Sequence, residues 1–494
     1  MLCSWLGVNG FGLDAAMASA YPRRKPRSTA ADATAGLNGY PEIVARRIHF
    51  ISLGCAKNRV DTEIMLGVSD SSGFEVVSDP AAAEVIVVNT CGFIGPAKEE
   101  SVDTILEMAR YKDEGACERL VVSGCLSQRY VGQLAGDMPE VDHFLGSSDM
   151  LRLREILDQR GERIMVGNPA DYTIRATDPR TLTQRGHSAF VKIAEGCNRS
   201  CSFCAIPGIR GKQRSRPVDD LIDEVEGLVA AGVVEANLVS QDTIAYGRDL
   251  RDRPSLANLV HALAKIDGLR WLRLHYLYPE TLTPELIDVL TGHENVLPYV
   301  DMPLQHASDS MLKRMRRGHG GKRVYDVIER LRAALPEMVF RTTFIVGHPG
   351  ETDADFEELC ALVRWAEFDH VGVFLYSHEE DTHSGEMTDL VDEKVARVRQ
   401  RKLMTIQRTI SRKKAHAMVD REIEVLVEGP SEESDLLLDG RWWGQAPDVD
   451  GKIVLANGTA RPGEIRRAIV TQAADYDLVA DLLTLEGARD VPVG

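Results

Sequence analysis

Glu195-Gly-Cys-Asn-Arg-Ser-Cys-Ser-Phe-Cys-Ala-Ile-Pro-Gly-Ile-Arg210 holds Cys197, Cys201 and Cys204 in the spacing C-x3-C-x2-C, three thiolates on one short loop. Iron-sulfur clusters of the four-iron kind usually take four cysteinyl ligands, so a three-cysteine loop leaves one iron free to bind something else. A zinc knuckle is the competing reading, but structural zinc is closed by a fourth ligand, typically from a second Cys/His pair downstream, and none follows. The loop also decides the fold, because it follows a strand-like run and opens a series of βα units.

Six such runs can be picked out: Ala189 to Glu195, Glu235 to Ser240, Leu269 to Tyr276, Leu297 to Met302, Val339 to Val346 and His370 to Tyr376. Amphipathic helical patterns lie between them, among them Asp219 to Ala231, Leu256 to Ile266, Arg323 to Leu335 and Asp353 to Trp365. Six units predict a partial barrel rather than a closed eight-fold one, with its active site at the C-terminal strand ends. Those ends carry the cysteine loop, Gln241-Asp242, His275, Gln305-His306, Gly347-His-Pro-Gly-Glu351 and Ser377-His378. Taken singly, each is more often a hydrogen-bonded loop residue than a ligand. In Gly347 to Glu351 the glycines allow backbone approach to a ligand, although a bare turn explains them almost as well.

Upstream, three runs end in cysteine: Ile48 to Cys55, Glu84 to Cys91-Gly92 and Arg119 to Cys125. Each precedes a helical pattern, one from Asn58 to Val68 and one that Pro96 opens toward Tyr111. In an open parallel sheet, ligands bind outside the carboxyl ends of the strands. Cys55, Cys91 and Cys125 can therefore meet at one point, with helix N-termini beside an anionic cluster. One cysteine at a strand end would mean little, since free Cys is commonly buried; three in one topological position point to a second metal site. Cys3, Cys117 and Cys360 show no such placement.

The flanks are simpler. The stretch from Met1 to Ala20 is mildly apolar without a basic n-region, and Arg23-Arg-Lys-Pro-Arg27 follows it, the wrong order for a secretory signal. Residues 1–45 are expected to be a disordered extension. A polar stretch from Gly167 to Gly186 reads as a linker, giving an N-terminal parallel α/β domain at 46–166 and a barrel at 187–414. The end of the latter, Asp392 to Lys414, is helical and basic, through Lys394, Arg397, Arg399, Arg401, Lys402, Arg408, Arg412, Lys413 and Lys414. Such a helix is either a solvated bridge between domains or a contact to RNA. Residues 415–485 form short β runs with Gly, Pro and Asp turns, a small β-barrel or sandwich. Between Ala415 and Leu483 there are six Lys/Arg and 14 Asp/Glu, an acidic module suited to a basic partner.

Composition sets the outer bounds. The chain has 494 residues, two to four domains' worth, with a formal charge of -17 that argues against passive capture of nucleic acid over the whole surface. Nine cysteines without regular spacing fit metal ligation in a reducing cytoplasm better than disulfides. No run of 18 apolar residues occurs, so no membrane span is expected.

Both cysteine triads, the following Ile206-Pro-Gly-Ile-Arg-Gly-Lys-Gln-Arg-Ser-Arg-Pro217 and Gly347 to Thr352 together resemble the radical S-adenosylmethionine (SAM) superfamily, and more narrowly its methylthiotransferases. The resemblance covers about residues 46 to 485 and includes a C-terminal barrel similar to the TRAM module. It implies an enzyme with two 4Fe-4S clusters, one held by Cys197, Cys201 and Cys204, the other, auxiliary, by Cys55, Cys91 and Cys125, all six counted as catalytic. The first would cleave SAM reductively to give a 5'-deoxyadenosyl radical; sulfur would come from or via the second, and a methyl group from a second SAM. Phe203 would pack on the adenine, with Gln241, Asp242, Gly347, Pro349, Gly350 and Glu351 holding the rest of the cofactor.

Within the family, Gly54-Cys-Ala-Lys-Asn58, Gln241-Asp242, Pro303-Leu-Gln-His306 and Ala446-Pro-Asp-Val-Asp-Gly451 resemble the RimO type, which modifies the β-carbon of an aspartate in the small-subunit ribosomal protein twelve. That implies a basic ribosomal protein as substrate, contact with ribosomal RNA, and an electron donor such as flavodoxin or ferredoxin. The transfer-RNA adenosine branch is the alternative that the basic helix permits. A non-catalytic iron-sulfur protein that binds RNA or the ribosome is the third reading.

Overall fold

The computed structural model describes residues 11–12, 45–183 and 186–483. Most of the expected extension, residues 1–10 and 13–44, lies outside the described residues; Phe11–Gly12 pairs antiparallel with Ile51 and Ser52. The first layer is a parallel sheet of β1 (Arg47–Ser52), β2 (Val85–Thr90), β3 (Arg119–Gly124), β4 (His143–Leu145) and β5 (Ile164–Met165), paired in that order. Every residue of β2 is buried, as its Val-Ile-Val-Val run requires of a strand covered on both faces. The helices α1 (Ala56–Ser71), α2 (Gly95–Ala109) and α3 (Cys125–Asp137) follow β1, β2 and β3.

The polar linker is pinned rather than loose. Arg180 reaches Glu63 on α1 and Glu224 in the next domain, and the Thr181 amide donates to the Glu63 carbonyl.

The second domain is a six-stranded parallel sheet in sequential order: β6 (Ser188–Lys192), β7 (Glu235–Val239), β8 (Trp271–Leu274), β9 (Val296–Asp301), β10 (Val339–Val346) and β11 (His370–Leu375). All six expected strands are present, and the sheet ends at β6 and β11 without closing, as six units predict. Alternation sorts the two faces. Ala236, Leu238, Leu272, Leu274 and Val300 pack outward into the main core. Glu235, Arg273, Asp301 and Arg341 occupy the opposite positions, so the lumen is polar and its charges are paired. At the β6 edge, Phe190 joins the core of the first domain beside Val60 and Ile64 of α1.

The third domain is a closed five-stranded barrel, β12 (Glu422–Pro430), β13 (Leu438–Trp442), β14 (Ile453–Asn457), β15 (Ile465–Ala473) and β16 (Leu478–Leu482). It sits against the N-terminal ends of the β6–β11 strands, opposite the cysteine loop. Its loop 443–450 enters the floor of the lumen: Arg273 donates to the Trp443 and Gln445 carbonyls, Ala446 is fully buried, and Tyr299 donates to Asp450. The acidic module is therefore anchored by the arginines of the barrel floor and stands away from the mouth.

The basic segment is a helix, α6 (Glu393–His416), and α5 (Asp353–Ala366) packs beside it. Seven of its nine cations meet carboxylates: Arg397 pairs with Glu393, Arg399 with Glu351 and Asp353, Lys402 with Glu357, Arg408 and Arg412 with Asp475, Lys413 with Glu367 and Lys414 with Asp369. These contacts tie the central barrel to the terminal one and favour the bridging reading of this helix over an RNA-facing surface.

Candidate iron-sulfur and cofactor site

Cys55, Cys91 and Cys125 are brought together by strand order alone. β1, β2 and β3 are adjacent and parallel, so their carboxyl ends line up. Cys55 is the N-cap of α1, Cys91 directly follows β2, and Cys125 opens α3 directly after β3. The loops approach so closely that a Cβ on Gly54 would stand 3.0 Å from that of Cys91. Asn58 knits them together: its Nδ2 donates to the Leu53 carbonyl at 3.0 Å and to the Thr90 carbonyl at 2.9 Å, one residue ahead of Cys91.

Cys197, Cys201 and Cys204 lie on the loop beyond β6. The Cys197 amide donates to the Gly211 carbonyl, and the Cys204 amide to that of Cys201, folding the loop on itself. Gly196 stands at φ +79°, where a Cβ would come 2.3 Å from the Lys212 carbonyl oxygen. Gly196→Ala is expected to lose about 1–3 kcal/mol through strain at this position, read as a lower melting temperature together with reduced iron uptake by the adjacent loop.

Four neighbours, Arg317, Met315, Ser384 and Asp242, hold the outside of this loop. Arg317 donates to Cys201 Sγ at 3.2 Å and to the Pro303 carbonyl. The Ser202 amide donates to the Met315 carbonyl, while Ser384 links the Ser202 hydroxyl to His348 Nε2. Arg199 lies over the Tyr278 ring and pairs with Asp242 at 2.6 Å.

Burial pushes up the thiols of Cys91 and Cys125, that of Cys197 to about 11 and that of Cys204 to about 12. Neighbouring cysteines add to the rise at Cys91, Cys197 and Cys204, which shows each triad to be close-set. At Cys55 desolvation is outweighed by Lys57 and Arg210, and the thiol lies below its ordinary value. Burial raises Cys117 and Cys360 as well, so it is the nearness of cysteine to cysteine, not the rise itself, that sets the triads apart. Among the described residues no group of three His, Cys, Asp or Glu closes on the point that a single ion needs. Two sets of three close-set cysteines fit multi-iron clusters.

The rim residues divide into buttress and cradle. In the 347–351 turn, the Gly347 amide donates to Glu351, Arg314 to the Pro349 carbonyl, and the Gly350 amide to the Asp389 carbonyl; Glu351 also takes Arg399 and His306. A Cβ on Gly347 would lie 2.5 Å from that of Ala396. Gly347 thus admits the α6 helix closely, and a Cβ on Gly350 would press on the Arg314 guanidinium. Asp242 spends one oxygen on Arg199, and Gln241 donates to Glu195. Among the buried side-chain atoms without partners in the described residues, Gln241 Oε1, Asp242 Oδ1, His275 Nε2 and Tyr376 Oη gather at this rim. Buried polar groups are nearly always satisfied, so these atoms at the ends of β7, β8 and β11 fit a polar cofactor in the mouth. Phe203 is half-buried next to Cys204. Tyr276 and Gln305, at φ +58° and +72°, hold left-handed backbone at the same rim, where strain commonly marks function.

The residues that join the two triads flank the cysteines in sequence. Cys125 packs on Ala205 and Ile209, immediately beyond Cys204. Arg210 ends the short helix α4 (Ile206–Arg210) and meets Cys125, Asn58, Asp61 and Glu195, while Lys192 also bonds Asp61 and Glu195. The sequence signal was a lysine in the middle of an apolar strand and a glutamate at its end, since a buried charge requires a partner.

Comparison with known proteins agrees with this arrangement. The model of the radical SAM superfamily matches residues 191–363, that of the uncharacterized protein family UPF0004 residues 47–146, and that of the TRAM domain residues 419–483. The ribosomal protein uS12 methylthiotransferase RimO of Sorangium cellulosum is 61% identical over 445 residues, 89% of this chain and 91% of that one. The protein of the same name from Geobacter sulfurreducens is 44% identical over 89% and 99% of the two chains. Among solved structures, the radical SAM methyltransferase TsrM from Kitasatospora setae superposes with a TM-score of 0.51 at 16% identity, covering 69% of this chain and 77% of that one, a likeness of fold. With 61% identity across nearly its whole described length, this chain belongs to the family of the RimO ribosomal protein uS12 methylthiotransferases.

Proposed function

We propose that this chain is a radical SAM enzyme that methylthiolates the β-carbon of an aspartate in ribosomal protein uS12. Its family supports the reaction, and one observation of the structure carries the division of labour: Cys125 packs directly on the segment that follows Cys204, so the two cysteine triads share a wall. In this reading residues 46–166 hold the auxiliary cluster, 187–414 the SAM-binding cluster and its bridging helix, and 415–485 a TRAM-like barrel.

When bound, a four-iron cluster with SAM supplies one-electron chemistry able to remove hydrogen from a carbon that acid-base groups activate poorly. The chain's own work is placement. Arg317, Ser384 and Asp242 through Arg199 fix the loop of Cys197, Cys201 and Cys204, while Gln241, Asp242, His275 and Tyr376 offer free polar atoms to the cofactor. Cys55, Cys91 and Cys125 would hold the second cluster, which would supply or relay sulfur for the substrate. A reducing protein such as flavodoxin or ferredoxin supplies electrons, and the reaction belongs in the cytoplasm; no helix among the described residues is long and apolar enough to cross a membrane.

The transfer-RNA reading rests on the TRAM domain and the basic helix. The helix is largely neutralised by acids of this chain, and the terminal module is acidic, which favours a basic protein. Anaerobically reconstituted protein, incubated with SAM, reductant and either a uS12 loop peptide or transfer RNA, is expected to add a methylthio mass to the peptide. Gain on RNA alone would refute the substrate; binding of fewer than about seven irons with no SAM cleavage would refute the enzyme.

A further inference from the structure

We propose that Arg210 is a positioning residue that sets the reduction potential of the cluster at Cys55, Cys91 and Cys125 by capping the Cys125 sulfur with two N–H donors. The inference rests on the two-cluster reading above.

The geometry is unusually complete for an arginine. Nε and Nη2 both point at Cys125 Sγ, at 3.3 and 3.2 Å, a fork closed on one sulfur. The second Nη2 hydrogen goes to Asn58 Oδ1, and the two on Nη1 go to Asp61 at 3.0 Å and Glu195 at 3.1 Å. A guanidinium has five N–H donors, and all five are used. The side chain is 2% exposed, so its charge acts through protein rather than water.

Its anchors come from both domains. Asp61 and Asn58 belong to α1 beneath the auxiliary triad, whereas Glu195 lies two residues ahead of Cys197. Asn58 is also the residue that ties together the loops carrying Cys55 and Cys91. Arg210 is thus held where removal of any one anchor leaves the others to maintain its aim.

Reduction adds negative charge to a cluster and its thiolates. A fixed cation donating hydrogen bonds to a ligand sulfur favours the reduced state, and hydrogen bonds to sulfur are among the determinants of cluster potential. Lysine in this place would keep a charge but could not close a fork on the sulfur.

The test uses the reconstituted holoenzyme, titrated potentiometrically under electron paramagnetic resonance with and without SAM. The component whose spectrum SAM leaves unchanged reports the auxiliary site. Arg210→Gln is expected to move that component to a more negative potential, Arg210→Lys to move it part of the way, and neither to move the SAM-sensitive component comparably. Because Arg210→Gln leaves Asp61 and Glu195 against Lys192, the charge-balanced pair Arg210→Gln with Asp61→Asn is measured beside it; loss of the Asp61 carboxylate itself favours reduction, so the pair is expected to shift in the same direction by a smaller amount. An Arg210→Gln variant that binds a full complement of about eight irons yet titrates at the wild-type potential overturns the role given to Arg210; where that variant fails to load iron, the same result in the loaded charge-balanced pair together with Arg210→Lys overturns it. A wild-type protein that binds only about four irons and shows no SAM-insensitive component overturns the two-cluster reading, and the inference with it.

Discussion

Cys55→Ala is expected to leave reductive cleavage of SAM running while methylthio transfer falls by at least about 100-fold, since even an outer partner of a metal ligand is worth about 10–100-fold. The separation follows from which contacts support which loop. Cys55 caps α1 in the first domain, and its thiol is lowered by Lys57 and Arg210 against desolvation. The loop of Cys197, Cys201 and Cys204 is held by Met315, Ser384, Arg317 and Asp242, from the second domain. Removing the Cys55 sulfur therefore empties one site and leaves the scaffold of the other intact. Chromatography of 5'-deoxyadenosine and methionine follows the first activity, and mass spectrometry of the peptide the second. Loss of SAM cleavage in a variant that retains its radical-site iron would show that the two triads do not act separately.

How much of this was legible in the sequence depends on the range of the interaction. Cys55, Cys91 and Cys125 could be placed together because adjacent parallel strands align their ends, a rule of backbone topology that needs no side-chain detail. The six barrel strands were legible for a similar reason: their apolar runs alternate with amphipathic helices. β4 and β5 were not, being three and two residues long with no periodicity to read.

The network of Asn58, Asp61, Lys192, Glu195 and Arg210 could not be assembled from sequence at all. Its members are scattered over some 150 residues and two domains, and nothing in local pattern says that Arg210 turns toward Cys125 rather than solvent. The glycines of the 347–351 turn carry the opposite lesson. A glycine pair at a barrel rim invites a ligand, yet here the neighbours crowding them are Ala396 and Arg314. The basic helix likewise reads as an interface until its acidic partners, on α5 and in the terminal barrel, are in place.

The anchoring of that terminal barrel yields the second large effect: Glu235→Gln is expected to weaken the junction between the two barrels by about 3–5 kcal/mol, the usual cost of removing one partner from a buried ion pair. Glu235 is fully buried, with Arg273 Nη2 at 3.0 Å, Arg441 Nη2 at 2.6 Å and the Ser188 hydroxyl at 2.8 Å. Glutamine keeps the shape but leaves two buried guanidiniums sharing no carboxylate at that point. Burial alone would raise the Glu235 carboxyl; Arg441 and Arg273 outweigh it and hold the group well below the usual carboxylate range. A depressed folded-state pKa contributes stability that is fully present above the unfolded value, about 4.3, and is lost as pH falls through the folded one. The difference between wild type and Glu235→Gln should therefore be largest near neutral pH and shrink below about pH 4.3. Tryptophan fluorescence during denaturant unfolding reports this junction, because Trp271, Trp442 and Trp443 all pack in it. A variant whose fluorescence transition coincides with that of wild type at neutral pH would mean that the apolar contacts of Leu297, Tyr299, Leu426 and Ala446 hold the module without help from the ion pairs.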